Sequence, residues 1–131
     1  MEGEEKRKNK KELAREFGLY AEEMAAQEYL RRGYTILERQ FHLGKTEIDL
    51  IVLKDATIVI VEVKARATDE EDALAAITVD KRRRMIRAAD SYLRRFPGDM
   101  QYRFDVVACT GSMQDFNMEI FEDAFNAADV F

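Results

Sequence analysis

Cysteine, histidine, proline and tryptophan are nearly missing from this chain, whose 131 residues hold one Cys, one His, one Pro and no Trp. The lone Cys109 excludes an internal disulfide framework, and with His42 the only histidine, a zinc site built from Cys and His alone is excluded too. No apolar run approaches the roughly 18 residues of a membrane-spanning helix, and the start has no signal-like pattern. The expectation is a soluble, cytoplasmic protein with no membrane partner. Repeats and low-complexity linkers are also absent, and 47% hydrophobic residues suffice for one core but not two. The chain therefore reads as a single domain over residues 12–131, behind a charged segment, Met1 to Lys11, with no apolar period and the character of a disordered or frayed lead-in.

Basic residues are absent after Arg103, where Asp115, Glu119, Glu122, Asp123 and Asp129 are all acidic. The stretch from Lys81 to Arg95, by contrast, carries seven basic residues against Asp90 alone. The net charge of −5 argues against an indiscriminate nucleic-acid binder, but this segregation is more informative than the sum.

The two most apolar, β-branched runs are Thr46 to Leu53 and Thr57 to Lys64, which read as an antiparallel hairpin across Lys54-Asp55-Ala56. Before them, apolar residues Leu13, Phe17, Tyr20 and Met24 recur at helical spacing from about Glu12 to Arg32, and Gly33 supplies the stop. Beside that stripe Gly18, Ala21 and Ala25 form a small-residue strip that would let another backbone approach closely and carry Glu22 in with it; Glu28 falls inside the stripe without a sequence-level account. Tyr34 to Phe41 is a first strand and His42 to Lys45 a turn with His42 exposed. After Arg66, Ala67-Thr68-Asp69 leaves the strand with Thr68 or Asp69 as helix caps, and Asp69 to Asp72 is an acidic loop or first helical turn.

Helix two runs from Ala73 or Asp80 to Phe96, with a break foreseen near Thr78-Val79 and Pro97-Gly98 ending it. Met85, Ile86, Ala89, Tyr92, Leu93 and Phe96 share one arc, and Arg83, Arg84, Arg87, Arg94 and Arg95 the opposite one, which must face solvent or a polyanion. Arg103 to Thr110 is a fourth strand with Cys109 as a small buried hydrophobe, Asn117 to Phe121 a short fifth, and Glu122 to Ala128 a closing helical turn. The order αβββαβ is an α/β sandwich with a mixed sheet flanked by helices, in which a right-handed crossover through helix two makes strand four parallel to its partner.

Asp49, Glu62 and Lys64 interrupt the apolar hairpin. Glu62 and Lys64 share a strand face with Ile58 and Ile60, so a carboxylate and an ammonium end a strand otherwise apolar on both faces. Buried charge at such a place needs a partner or a ligand. Two carboxylates and a backbone carbonyl suit a hard divalent ion such as Mg²⁺ or Mn²⁺ for phosphodiester hydrolysis. Lys64 would position or deprotonate the attacking water, or neutralise developing charge. The plain structural alternative is a cross-strand ion pair. Glu47, on the Asp49 face, is a further candidate ligand or a rim residue; Arg66, Lys81 and the helix-two arginines are candidate phosphate contacts or a solubilising face.

Taken together, Gly18 and Glu22, Gly33-Tyr34-Thr35-Ile36-Leu37, Glu47-Ile48-Asp49-Leu50-Ile51, Val61-Glu62-Val63-Lys64-Ala65-Arg66, Lys81 with Arg84, Ala88-Ala89, Tyr92-Leu93 and Arg103-Phe104-Asp105-Val106-Val107 resemble the YraN-like family of endonuclease-related proteins. That family belongs to the PD-(D/E)XK nuclease superfamily, with the archaeal Holliday-junction resolvases. Ile48 stands where the superfamily's name has proline, and Thr46 where the family usually has glycine. The resemblance spans about Phe17 to Phe125 and implies a restriction-endonuclease-like core. It implies that Asp49, Glu62 and the Val63 carbonyl hold the metal, that Lys64 is the catalytic lysine, and that Glu22 approaches from helix one. The expected activity is Mg²⁺-dependent cleavage of nucleic acid, DNA or branched DNA, with a homodimer implied by the superfamily. The alternative is a non-catalytic nucleic-acid-binding or protein-interaction module on the same scaffold.

Overall fold

A computed structural model describes residues 7–66 and 72–131. Residues 1–6 of the charged lead-in, and the expected caps Thr68 and Asp69 with most of the acidic loop, lie outside the described residues. The elements are α1 (Lys10–Arg31), β1 (Thr35–Leu43), β2 (Thr46–Lys54), β3 (Thr57–Arg66), α2 (Val79–Leu93), β4 (Gln101–Gly111), β5 (Phe116–Phe125) and α3 (Ala127–Val130). One five-stranded sheet runs in the order β1-β2-β3-β4-β5, antiparallel except for the β3–β4 pair, which is parallel as the crossover requires. The fold is the expected α/β sandwich: α1 covers one sheet face and α2 the other.

The central hairpin carries both cores. Val59 and Val61 face α1 with Leu50, Val52, Val107 and Cys109, while Ile58 and Ile60 face α2 with Ile51, Phe104 and Val106. Each such fully buried side chain contributes about 1.5–3 kcal/mol relative to exposure. Cys109 is the small hydrophobe anticipated, and its burial pushes the thiol up to about 12.

Helix α1 starts earlier than Glu12, because Asn9 caps it by accepting the Glu12 N–H at 2.8 Å. It does not dock through the large apolar stripe. Its buried residues are Ala21, Ala25, Ala26 and Tyr29, and Leu13 is exposed. The alanine strip lets the helix backbone lie close on the β-branched sheet face, whereas Phe17 and Tyr20 reach past it to Phe116 of β5 with ring centroids 6.0 and 5.1 Å apart. Glu28 finds its account as well: it pairs with Arg31 and Arg32 on the last helical turn, which hold its carboxyl down at about 2.

Helix α2 begins where the break was foreseen, with Thr78 Oγ1 accepting the Lys81 N–H at 3.1 Å, and buries Met85, Ile86, Ala88, Ala89 and Tyr92. At the C-terminal end the closing helix expected from Glu122 is instead strand. β5 runs to Phe125, whose ring stacks on Phe104 at 4.8 Å, and only Ala127–Val130 is helical. The longer strand is fixed by buried Asp105, which sits at an irregularity in the β4–β5 register and accepts the Asp123 N–H at 3.1 Å. Asp105 also accepts from the Tyr29 hydroxyl at 2.7 Å and from Arg103 Nε and Nη2 at 2.9 and 3.1 Å. This knot, centred on the fully buried Asp105, ties α1, β4 and β5 together. Gly111, with φ +96°, turns the chain between β4 and β5, where a Cβ would meet the Asp115 carbonyl oxygen at 1.9 Å.

Candidate active site

β2 pairs with β1 as far as Thr46 but with β3 only as far as Leu50 opposite Val61, so the two central strands separate beyond that pair. Asp49 fills the opening. Its Oδ2 accepts the Val63 N–H at 2.8 Å, a side chain taking a bond that a β2 carbonyl would have taken. A strand residue directs its N–H and C=O to the same neighbour, so the Val63 carbonyl also points into the opening. Glu62, 5% exposed, closes it from β3 and shares a hydrogen bond with the Asp49 carboxyl.

Two carboxyl groups are thus held together at the edge of a dry core. The Asp49 carboxyl is pushed up to about 9, first by burial, then by the hydrogen bond and negative charge of Glu62, with Glu22 adding to the rise and the Val63 N–H opposing it. Lys81 reaches Glu62 from the first turn of α2, its Nζ 2.9 Å from Oε2. That approach compensates charge by proximity but lies off the direction a hydrogen bond needs, so the same buried oxygen has no hydrogen-bond partner.

A buried carboxylate oxygen with an ammonium near it but no hydrogen bond, a second carboxyl beside it and a peptide carbonyl on the same opening are a hard-oxygen donor set, which fits a divalent ion of the Mg²⁺ type. Among the described residues no three His, Cys, Asp or Glu side chains gather closely enough to enclose an ion alone. The fit is therefore to an ion that keeps most of its water, as Mg²⁺ does.

Glu22 faces Asp49 across a cavity of about 230 Å³ that it lines with Leu19, Glu23, Arg39, Gln40 and Leu50. Its carboxylate accepts from Gln40 Nε2 at 2.9 Å. Gln40 was not anticipated. It lies on β1 between the pairs Arg39–Leu50 and Phe41–Ile48, hence beside Asp49, and holds a left-handed φ of +45° that a non-glycine residue rarely adopts. Nothing in Glu38-Arg39-Gln40-Phe41 signals this, since strain belongs to the assembled sheet. Glu47 is exposed, opposite His42 in the β1–β2 ladder. Lys64 is half-buried two residues beyond Glu62, paired with Ala108 of β4. Arg66, at the end of β3, lines a separate apolar cavity of about 460 Å³ with Lys10, Leu13, Phe17 and Met113.

The arginine arc is divided. Arg83 Nε donates to the Val130 carbonyl at 2.6 Å, and Arg83 and Arg87 lie over the Phe131 ring. Arg95 stacks on Phe41 and Tyr92. Arg84, on α2, and Arg94, at its C-terminal cap, are exposed. Lys81 is the candidate phosphate contact that the fold turns inward.

Sheet, helices and opening define a small α/β domain whose polar focus is a pair of facing carboxyls where two strands part. The chain belongs to the family described as "Uncharacterised protein family UPF0102", whose model matches residues 21–109. It is similar to a UPF0102 protein of Phocaeicola vulgatus, 38% identical over 114 residues that span 84% of this chain and 92% of the relative. A UPF0102 protein of Prosthecochloris aestuarii is 36% identical over 121 residues, covering 86% and 95%. One from Flavobacterium psychrophilum is 32% identical over 111 residues, covering 84% and 93%. Among the described residues no helix is long and apolar enough to cross a membrane.

Proposed function

We propose that the protein is a divalent-metal-dependent nuclease that hydrolyses phosphodiester bonds in nucleic acid, with DNA, including branched DNA, as the substrate class. The observation that carries this reading is the convergence of Asp49, Glu62 and the Val63 peptide on one opening at the end of β2, with the buried Glu62 oxygen left without a hydrogen bond. The resemblance to the PD-(D/E)XK nucleases supports it independently.

Asp49, Glu62 and the Val63 carbonyl would hold Mg²⁺ or Mn²⁺, with Glu22 across the cavity acting through water and Glu47 at the rim. Bound there, the ion would polarise a phosphate oxygen and lower the pKa of its water. Lys64, on the Glu62 side of β3, would orient the attacking water or neutralise the developing charge of the phosphorane. Asp49 would release its proton when loaded, because the cation offsets both the burial and the negative charge of Glu62 that make it hold one. The exposed Arg84 and Arg94, with Arg87, would track the phosphate backbone, and Arg66 would meet it beyond Lys64.

The test is cleavage of single-stranded, duplex, flap and four-way DNA with Mg²⁺ or Mn²⁺, with Glu62→Ala as the blank. Lys64→Ala is expected to lower cleavage by about 100-fold or more while metal and DNA binding persist. Equal cleavage by wild type and Lys64→Ala would end the assignment. The alternative, a non-catalytic nucleic-acid-binding or protein-interaction module, draws support from the internal use of Arg83 and Arg95 and from the net acidity. It predicts DNA or protein binding with no turnover on any of the four substrates.

A further inference from the structure

Lys81 stands where its own helix does not favour it. It lies in the first turn of α2, whose exposed N–H groups carry partial positive charge, so a cation there is electrostatically misplaced unless something else holds it. What holds it is Glu62. Nζ comes within 2.9 Å of Oε2, the buried oxygen to which it makes no directed hydrogen bond. Lys81 therefore supplies charge at the opening without using the lone pair that coordination would use. Its side chain is 29% exposed against 6% for Glu62, so the ammonium can swing outward along a solvated path while the carboxylate cannot. One helical turn on, at the i+3 position that shares its face, Arg84 is exposed.

We propose that Lys81 is a metal-gated counter-ion: in the metal-free protein it neutralises Glu62, and a divalent ion taking Glu62 Oε2 displaces it outward, beside Arg84, where it becomes a phosphate contact. This rests on the nuclease reading in so far as Asp49 and Glu62 bind a divalent ion. It goes further by making metal loading the event that completes the phosphate-binding face. Lys81 is a substrate-binding residue in this account, distinct in role from Lys64.

The experiment measures Mn²⁺ affinity by titration calorimetry for wild type, Lys81→Met, Lys81→Gln and Lys81→Arg, after circular dichroism has shown which variants are folded in EDTA. With the competing charge removed, Met and Gln variants should bind Mn²⁺ about tenfold more tightly, and Lys81→Arg should match wild type. Gln keeps a polar head at the site and guards against loss of the Met variant. A labelled 20-base-pair DNA duplex is then titrated in EDTA and in Ca²⁺. Lys81→Gln should bind it as wild type does in EDTA and more weakly than wild type in Ca²⁺. Neutral variants that bind Mn²⁺ no more tightly than wild type, or that lose DNA affinity equally in EDTA and Ca²⁺, overturn the gating while leaving the metal site standing. A wild type and a full set of variants that bind no Mn²⁺ overturn the metal reading and the gate together.

Discussion

Replacing Asp49 by Asn should stabilise the metal-free protein, an unusual direction for a substitution at a half-buried hydrogen-bonded residue. The free carboxyl of an unfolded chain titrates near 4, whereas in the fold burial and Glu62 push Asp49 up to about 9. The native state thus binds more protons than the unfolded state throughout that window. Stability contributed by this group is complete below pH ~4 and is lost progressively as pH rises towards 9. At pH 7 about three pH units of that loss have accrued, a ceiling of about 4 kcal/mol at about 1.4 kcal/mol per unit. The Asn amide can still donate to Glu62 and accept from Val63 but fits less well than a shared proton, so a net gain of about 2 kcal/mol is the working figure. For a domain of this size that is a rise in Tm of roughly 5–10 °C.

The assay is a thermal scan of wild type and Asp49→Asn in EDTA at pH 4, 7 and 9, repeated with Mn²⁺. The Tm difference should be smallest at pH 4 and widen towards pH 9. Mn²⁺ should raise the wild type alone, by about 2.7 kcal/mol at a hundredfold excess over Kd. If Asp49 were instead half of a structural ion pair, its removal would strand the partner charge and the variant would melt lower. An Asp49→Asn protein that melts below wild type in EDTA at pH 7, or a difference that does not change with pH, refutes the reasoning.

The divided arginine arc predicts divided phenotypes. Arg84→Gln and Arg94→Gln should each lower the log–log salt slope of duplex binding by about 0.9, with little change in Tm; unchanged slopes would return that face to simple solvation. Arg83→Gln, which loses the Val130 carbonyl and the Phe131 ring, should lower Tm and leave the slope alone. Asp105→Asn should be the most damaging of these variants, about 3–5 kcal/mol by urea denaturation, because it removes the buried charge that accepts from Tyr29, Arg103 and Asp123 and leaves the part-buried Arg103 only the Glu122 carboxylate at 3.8 Å. A loss under about 1 kcal/mol would show that the knot at Asp105 is not what fixes β5.

What could be read from the sequence was whatever depends on pattern along one element. The β-branched hairpin, the amphipathic period of α2 and the positions of Asp49, Glu62 and Lys64 are all of that kind, and the parallel β3–β4 pair followed from handedness. What escaped depends on how elements meet. Leu13 and Phe17 give α1 a plausible apolar stripe, yet it is the alanine strip, Ala21, Ala25 and Ala26, that packs on the sheet face of Leu50, Val59 and Val61. Helical period alone cannot choose between two such strips. Glu122 to Phe125 has no helix-breaking residue, and what holds it as strand lies elsewhere in the chain: the Asp105 carboxylate that takes the Asp123 N–H, and Phe104, which pairs with and stacks on Phe125. Lys81 was read as a candidate phosphate contact, and its pairing with Glu62 was missed because a run of charge contains no sign of a buried carboxylate across the fold. The candidate site was legible for the opposite reason. A charge inside an apolar strand conflicts with its surroundings, and conflicts of that kind are visible before any tertiary contact is known. Gln40 is the contrasting case: its left-handed φ beside Asp49 is also a conflict, but one of backbone against ladder, which exists only once β1 and β2 have paired.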